Sequence, residues 1–158
     1  MPELLCDPTA FADAPVLIDQ SGVQEHLPHR FEMALLHGVL HHDRDARLAI
    51  GYHDAKPDDF WVRGHVPGRP VMPGVVMVEI MAQLSGWLAS FELDAEEGKF
   101  FGFGGIDHVR FRGTVKPGER MILASRVKRL RRSMGTFETQ GYVGDKLVVE
   151  GEVLGIML

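Results

Sequence analysis

The strongest constraint on the fold is a nearly uninterrupted apolar segment from Val71 to Leu93. It contains no proline after Pro73, and its apolar residues surround most of the circumference of a helix. These residues are Val75, Val76, Val78, Ile80, Met81, Leu84, Trp87, Leu88 and Phe91. A helix that is apolar on nearly every side must be buried on nearly every side. Because the segment also contains Glu79, Gln83 and Glu92, we interpret it as a core helix rather than a membrane span.

Segments of strand character lie on both sides of this helix. Before it, Leu35–His41 and Arg47–His53 are apolar-rich runs joined by the polar turn Asp43-Arg44-Asp45, which indicates a hairpin. After Gly98 come three more runs, Phe100–Val115, Met121–Leu130 and Phe137–Leu158. One long apolar helix with antiparallel strands predicts an α+β fold in which a curved sheet wraps the helix.

Two glycine-containing turns set the register of the later strands. Lys116-Pro117-Gly118-Glu119 combines a proline that presets one dihedral with a glycine that tolerates positive φ. Gly144-Asp145 divides the last run and has the glycine-first pattern of a type II′ hairpin. The last run is therefore expected to be two paired strands.

The N-terminal region differs from the rest of the chain. Residues 1–20 contain three prolines and no clear periodicity, which indicates a mobile or loosely docked extension. Ser21, followed three residues later by Gln24, forms a weak capping box for a short helix that stops before Pro28. We therefore expect an extension over residues 1–20 and a single domain over residues 21–158.

Composition narrows the class of protein. At 158 residues and 45% hydrophobic residues, the chain suits one sizeable core, and its formal charge of −5 argues against a net basic nucleic-acid binder. Cys6 is the single cysteine, so no intrachain disulfide can form and a reducing compartment is the simplest interpretation. The acidic start lacks the basic residues of a secretory signal. We expect a cytoplasmic protein that binds neither membrane nor nucleic acid.

The candidate chemistry centres on His65 and Glu79. His65 lies in a turn, fourteen residues before a carboxyl that is carried by the apolar helix. Desolvation there favours the neutral acid, so Glu79 is expected to be a protonated donor. Gln83, one helical turn further, either orients Glu79 or makes a simple interhelical hydrogen bond. Taken alone, His65 could also be a structural histidine.

The start of the helix supplies a third element of a site. Pro73 and Gly74 open the helix, and the free amides of Gly74 and Val75 could stabilise a carbonyl oxygen that gains negative charge. Gly74 could equally be only a glycine at a helix start. A base, an acid and an oxyanion site together suit proton abstraction α to a thioester with loss of a β-leaving group.

Neither a metal nor a cofactor is expected. His41-His42-Asp43 with Asp45 could suggest a metal site, but adjacent strand residues point to opposite faces. The glycines near Phe101 and Phe103 lack the helix and lysine of a phosphate loop.

Four motifs in the same order resemble the 3-hydroxyacyl-[acyl-carrier-protein] dehydratases of fatty-acid synthesis. They are Leu27-Pro28-His29-Arg30-Phe31, Gly64-His65-Val66-Pro67 with Pro70-Val71-Met72-Pro73-Gly74-Val75, Glu79-Ile80-Met81-Ala82-Gln83, and Gly105-Ile106-Asp107 with Val109-Arg110-Phe111. The resemblance extends from about Ser21 to the C-terminus. The chain departs from the family pattern at Glu32-Met33, at Val66 and at Gly102. At the position of Gly102, the family often has an aromatic residue that gates the acyl tunnel.

This resemblance implies a hot-dog fold, in dimers commonly assembled as hexamers, that is, trimers of dimers. It implies that His65 and Glu79 are the catalytic pair, contributed by different subunits, and that the Gly74 amide holds the thioester carbonyl. A glutamate at position 79 is typical of the non-isomerising branch. The implied activity is that of a hydro-lyase without a cofactor, converting a (3R)-hydroxyacyl thioester into the trans-2-enoyl thioester.

Basic residues cluster on an otherwise acidic chain. The resemblance implies that they dock acyl carrier protein, an acidic partner in the family, mainly increasing the encounter rate. The alternative is a solvated strand face. The candidates are Arg110, Arg112, Lys116, Arg126, Lys128, Arg129, Arg131 and Arg132.

Two other functions remain open from the sequence. A hot-dog acyl thioesterase would use Glu79 beside an attacking water and release free acid. A non-catalytic acyl-binding or assembly protein would keep the fold without the reaction. The sequence leaves open the acyl chain length, the pathway, and whether the carrier is a protein or coenzyme A.

Overall fold

The computed structural model describes residues 2–93 and 98–158 and has the predicted α+β architecture. Its strands form an antiparallel seven-stranded sheet in the order β1-β2-β3-β5-β6-β7-β4. The strands are β1 (Ile18–Asp19), β2 (Gly38–Asp43), β3 (Leu48–Asp54), β4 (Phe101–Phe111), β5 (Arg120–Arg131), β6 (Met134–Val143) and β7 (Lys146–Met157). The α-helices are α1 (Gln20–Gln24) and α2 (Gly74–Glu92). The sheet curves around α2, which contacts β3 to β7.

The long helix α2 forms where the apolar pattern predicts it. The carbonyl of Pro73 accepts hydrogen bonds from the amides of Val76 and Met77, and the helix ends as Leu93 turns extended. By length and composition alone α2 could cross a membrane, but 61% of its apolar window is buried inside this fold. That packing is typical of the core helix of a wrapped sheet.

The predicted turns are confirmed. Gly118 has φ of 91°, and the amide of Glu119 donates to the carbonyl of Lys116 across that turn. Gly144 has φ of 60° between β6 and β7, whereas Asp145 has negative φ, as a type II′ turn requires. The last sequence run is thus two strands paired along their length.

The start of the first helix differs from the prediction. Asp19, not Ser21, is the N-cap of α1, because its Oδ1 accepts a hydrogen bond from the amide of Gly22 at 2.9 Å. Aspartate is as strong a cap as serine. The pairing of β1 with β2 also positions Asp19 directly before the helix. The ordered fold therefore includes Ile18 and Asp19.

The N-terminal strap, residues 2–17, packs on the outer face of the sheet. The amide of Leu5 donates to Gln140 Oε1, and Gln140 Nε2 donates back to the carbonyl of Glu3. Phe11 packs against His41. Leu5, Cys6, Phe11 and Ala14 cover an outer cluster formed by Leu40, Ile50, Ile122, Ala124 and Tyr142. The expectation of a loosely docked extension is wrong, because the outer face is apolar at this point.

Strand β4 is an edge of the sheet. It pairs with β7 on one side, and among the described strands no other pairs with it. Phe103 and Phe111 on this strand are exposed. An unpaired edge with exposed aromatic residues is a surface suited to another chain.

Candidate active site

Glu79 lies in the second turn of α2 with its carboxyl half-buried. Gln83 Nε2 donates a hydrogen bond to Glu79 Oε1 at 3.0 Å. His29 Nε2 lies 3.4 Å from the same oxygen. Two donor groups therefore converge on one carboxylate oxygen.

The orientation of Gln83 follows from its other hydrogen bonds. Its Oε1 accepts from the amides of Leu35 and Leu36, both at 3.1 Å. Its Nε2 must then be the side that faces Glu79, and it also donates to the carbonyl of Met33 at 2.8 Å. Gln83 thus contacts Glu79 and also ties α2 to the loop before β2, rather than to another long helix as the alternative prediction required.

These donors change the expected protonation of Glu79. Burial is the largest single influence on the pKa of Glu79 and raises it, but the hydrogen bonds from His29 and Gln83 and the charge of His29 together hold the pKa below its ordinary value of 4.5. The expectation of a protonated acid is wrong for the unliganded chain, because donors outweigh desolvation.

His65 is exposed on the loop between β3 and α2. Its Nδ1 lies 2.7 Å from the carbonyl oxygen of Val71. A carbonyl can only accept, so Nδ1 carries the proton and donates, and the neutral ring keeps its lone pair on Nε2. The backbone amide of His65 also donates to the carbonyl of Trp61. The loop therefore presents Nε2 as a base.

A single chain does not join the two predicted catalytic residues. Among the described residues, the contacts of the Glu79 carboxylate are with His29 and Gln83, and His65 contacts Val71 and Trp61 instead. The structure brings Glu79 and Gln83 together but leaves His65 separate.

The N-terminus of α2 carries the predicted amides. In the described part of the chain, the amides of Gly74 and Val75 have no hydrogen-bond acceptor, and Val75 is 75% exposed. A Cβ on Gly74 would come within 2.8 Å of the ring of Phe111. Glycine leaves room here for an aromatic ring of β4 that packs against the helix start.

A narrow pocket of about 160 Å³ opens beside Glu79. His29, Glu79 and Gln83 supply its polar wall, and the remaining lining is mostly apolar. Gly102 lines it between Phe101 and Phe103, and a Cβ on Gly102 would overlap the side chain of Leu158. The pocket is suited to an apolar chain whose inner part lies beside the carboxyl of Glu79.

A larger cleft of about 690 Å³ lies beside the His65 loop. Val66, Pro70 and Val71 form apolar walls, and Arg69 and Lys116 bring two cations to its rim. Sequence reasoning selected Lys116 and missed Arg69, which stands apart from the basic clusters. Its position two residues beyond the motif's Pro67 was the signal that could have found it.

Ion pairs separate the predicted docking residues into two groups. Arg112 pairs with Glu150, Arg126 with Glu138, and Lys128 with Glu152. The other candidates have no carboxylate partner among the described residues, and Arg110 donates to the carbonyl of Val109. These residues are Arg110, Lys116, Arg129, Arg131 and Arg132. The paired cations belong to a charged strand face, and the unpaired ones remain available to a partner.

His29 is the contact of Glu79 that sequence reasoning overlooked. The resemblance contained it in the motif Leu27–Phe31, but no role was predicted for it. Fifty residues separate His29 from Glu79, and the sequence has no local periodicity that would connect them. The signal was a second histidine beside a proline in a motif that already belonged to the family pattern.

The histidines considered as metal ligands point apart, as predicted. His41 packs against Phe11 outside the sheet, and His42 packs against Trp87 inside it. Within the described ranges, no group of three His, Cys, Asp or Glu residues is placed to hold a metal ion.

Comparisons with known proteins show the family to which the sequence of this chain is similar. The FabA-like domain model matches residues 27–152. The 3-hydroxyacyl-[acyl-carrier-protein] dehydratase FabZ of Pelotomaculum thermopropionicum is 36% identical over 138 residues, covering 87% of this chain and 97% of the relative. That of Moorella thermoacetica is 36% identical over 137 residues, with 87% and 94% covered.

A solved structure supports the fold. The dehydratase heterocomplex ApeI:P from Xenorhabdus doucetiae matches with a TM-score of 0.72 and 18% identity, covering 86% of this chain and 90% of that chain. At this identity the match shows the fold alone.

Proposed function

This chain belongs to the FabA-like family of 3-hydroxyacyl-[acyl-carrier-protein] dehydratases, and from that premise we propose its reaction. It is a hydro-lyase that converts a (3R)-hydroxyacyl thioester on acyl carrier protein into the trans-2-enoyl thioester in fatty-acid or related acyl-chain biosynthesis. The observation that carries the proposal is a carboxyl oriented by Gln83 at the wall of a narrow apolar pocket. No cofactor takes part in this chemistry.

The two catalytic groups have separate tasks. His65 Nε2 removes the α proton, the Cα–Cβ double bond forms, and the Cβ–O bond breaks as Glu79 protonates the departing hydroxyl to water. Solvent then returns the proton from His65 to Glu79. In the free chain donors keep the pKa of Glu79 low, and an acyl chain that displaces water from the pocket raises it by desolvation.

The helix start assists the same step. The free amides of Gly74 and Val75 donate to the thioester carbonyl oxygen, which becomes more negative as the α proton leaves. One such preorganised donor contributes about 2.7–4 kcal/mol to the transition state.

Two products measured together test the reaction. The chain is incubated with a 3-hydroxyacyl thioester, and the enoyl thioester and the free thiol are followed at the same time. Enoyl product without thiol is the expected result. Release of free thiol would contradict dehydration and indicate a thioesterase. If neither product forms, the proposed reaction is contradicted and a non-catalytic acyl-binding protein is favoured. A series of acyl lengths then defines the substrate range.

We propose that the complete site forms between two copies of the chain. The exposure of His65, its separation from Glu79 and the unpaired edge of β4 support this arrangement. A partner that pairs along β4 would cover Phe103 and Phe111 and bring its own histidine to the pocket. The dimer is the functional unit, and a hexamer would be a trimer of such dimers.

Carrier docking is proposed on the unpaired cations. Arg129, Arg131 and Arg132 lie at the β5–β6 end of the sheet, and Lys116 lies beside the His65 cleft. Reversing Arg129 and Arg131 to glutamate should slow association with carrier protein and weaken its salt dependence. The same reversal of the paired Arg112 is the control. If association with carrier protein changes neither with salt concentration nor with the charge reversal, these arginines do not form the docking surface.

We also place the protein in the cytoplasm. Cys6 lies half-buried in the strap and is the chain's single cysteine, so the fold does without an intrachain disulfide.

A further inference from the structure

We propose that His29 is a positioning residue for Glu79: together with Gln83 it holds Oε1 of the carboxylate and leaves Oε2 for the proton exchanged with the substrate. This inference rests on the proposed function, because it concerns the acid of that reaction. It assigns a role to a residue that lines the pocket and was not part of the predicted site.

The first support is the geometry of the carboxylate. Gln83 Nε2 lies 3.0 Å and His29 Nε2 lies 3.4 Å from Glu79 Oε1. In the described part of the chain no donor contacts Oε2. Two contacts on one oxygen restrict rotation of the carboxyl group and leave Oε2 as the oxygen without a donor.

The second support is the way the chain holds His29 in place. Arg30 Nη1 donates to the carbonyls of Leu27 and His29 at 2.8 and 2.7 Å, and its Nη2 donates to that of Gln24 at 3.1 Å. The guanidinium of Arg30 thus ties the end of α1 to the backbone of His29. Since Gln83 fixes the following loop through Met33, Leu35 and Leu36, both flanks of His29 are anchored.

The third support is the state of the His29 ring. Its Nδ1 is buried and has no hydrogen-bond partner among the described residues. A proton on Nδ1 would be an unpaired buried donor and would turn the Nε2 lone pair toward a carboxylate oxygen. A proton on Nε2 avoids both penalties and lies toward Glu79 Oε1, which is 3.4 Å from Nε2. The burial of Nδ1 therefore directs the donor at Glu79.

The two donors differ in what else they support. Gln83 also satisfies two backbone amides, so its replacement would disturb the loop before β2 as well as Glu79. His29 makes no other side-chain hydrogen bond within the described residues. Replacing His29 thus removes the influence on Glu79 while leaving the loop bonded, which makes it the cleaner position to test.

The experiment compares His29→Phe, which keeps an aromatic ring without a donor, with His29→Gln, which keeps an N–H donor. The Glu79 carboxyl is titrated by carbon-13 NMR in the unliganded protein, and the pH profiles of kcat and kcat/KM are measured with a 3-hydroxyacyl thioester. In His29→Phe the pKa of Glu79 and the limb of the profile that reports it should move to higher pH. The value of kcat at the optimum should fall about 10- to 100-fold, as for one charge-assisted hydrogen bond, with KM nearly unchanged.

His26→Phe is the matched control. His26 lies on the same short loop but contacts Ser90, Trp87 and Phe91 rather than Glu79. It should keep the parental pH profile, and His29→Gln should recover part of kcat. A thermal melt of each variant shows whether the fold is intact, and the titration applies to any variant that folds.

Three outcomes would overturn the proposal. They are an unchanged Glu79 titration in His29→Phe, an equal shift in His26→Phe, and a kcat in His29→Gln as low as that in His29→Phe. If the parent chain forms no enoyl product, the proposed function fails instead. The titration then still decides whether His29 controls the carboxyl.

Discussion

Histidines in this chain take their roles from the partner of Nδ1. In His65 that nitrogen donates to the carbonyl of Val71, which leaves Nε2 basic and exposed. In His37 it accepts from the amide of Asp54 at 2.9 Å, which commits the ring to a structural bond. The same side chain therefore serves as a base at one position and as part of the fold at another.

Replacing His65 by alanine should abolish dehydration while sparing the fold. We expect kcat to fall by about 10²- to 10⁴-fold, the usual contribution of a general base. The free energy of unfolding should change by less than about 0.5 kcal/mol, since the side chain is exposed. Enoyl formation and urea unfolding measure the two effects. His41→Ala, a change of another exposed histidine, should retain activity, and equal losses in both variants would contradict the assignment.

The stacked pair His37 and His53 should make stability depend on pH. Their ring centroids are 4.4 Å apart. Burial, followed by the charges of His53 and Lys56, lowers the pKa of His37 from 6.5 to about 4, against the opposing effects of Asp54 and Asp59. Between these two pH values the unfolded chain binds more protons than the folded chain. The contribution of neutral His37 to the free energy of unfolding is therefore fully present above pH 6.5, declines as pH falls, and is lost below about pH 4.

Urea unfolding across this pH window tests the pair. The parent should lose about 1–3 kcal/mol, given partial solvent screening. His37→Asn keeps an acceptor for the Asp54 amide and should show a flatter dependence. Parallel pH curves for the two proteins would contradict the prediction.

At the scale of elements, the start of α2 and the end of β4 depend on each other through Gly74 and Phe111. A Cβ on Gly74 would meet the Phe111 ring at 2.8 Å, but this ring is 53% exposed and can turn away. Gly74→Ala should therefore lower stability by less than about 1 kcal/mol. It should lower kcat by about 10²-fold, because the methyl group crowds the amides.

A second substitution separates the two effects. Adding Phe111→Leu to Gly74→Ala should restore stability but not kcat. Gly64→Ala is the stability control, since a Cβ there meets no atom within 4 Å. Full recovery of kcat in the double variant would mean that Gly74 serves only to accommodate the ring.

Elements with strong local signals could be predicted, and those set by distant contacts could not. The apolar circumference of α2 and the glycines of two turns determine their conformations locally, so these predictions are confirmed. The cap at Asp19 depends on the pairing of β1 with β2, which the sequence does not show. The contact between His29 and Glu79, and hence the lowered pKa, depends on a loop closing over the helix.

For the whole molecule, the separation of His65 from Glu79 leads to a test of assembly. His65→Ala and Glu79→Gln chains are each expected to be inactive, but mixed dimers should regain up to about a quarter to a half of the parental activity, because one of the two sites then holds both intact residues. Activity is measured after refolding the two variants together, with mass measurement to show that mixing occurred. No recovery despite proven mixing would contradict a shared site.

The strap explains a puzzling feature of the strand sequences. Met121, Ile122, Leu123 and Ala124 form a continuous apolar run, although one face of an antiparallel sheet ordinarily meets water. Here α2 covers one face and the strap covers the other, so alternation is not required. The family match begins only at residue 27. A chain shortened to that match would therefore expose the apolar outer face of the sheet. Such a chain is expected to aggregate before any loss of activity could be measured.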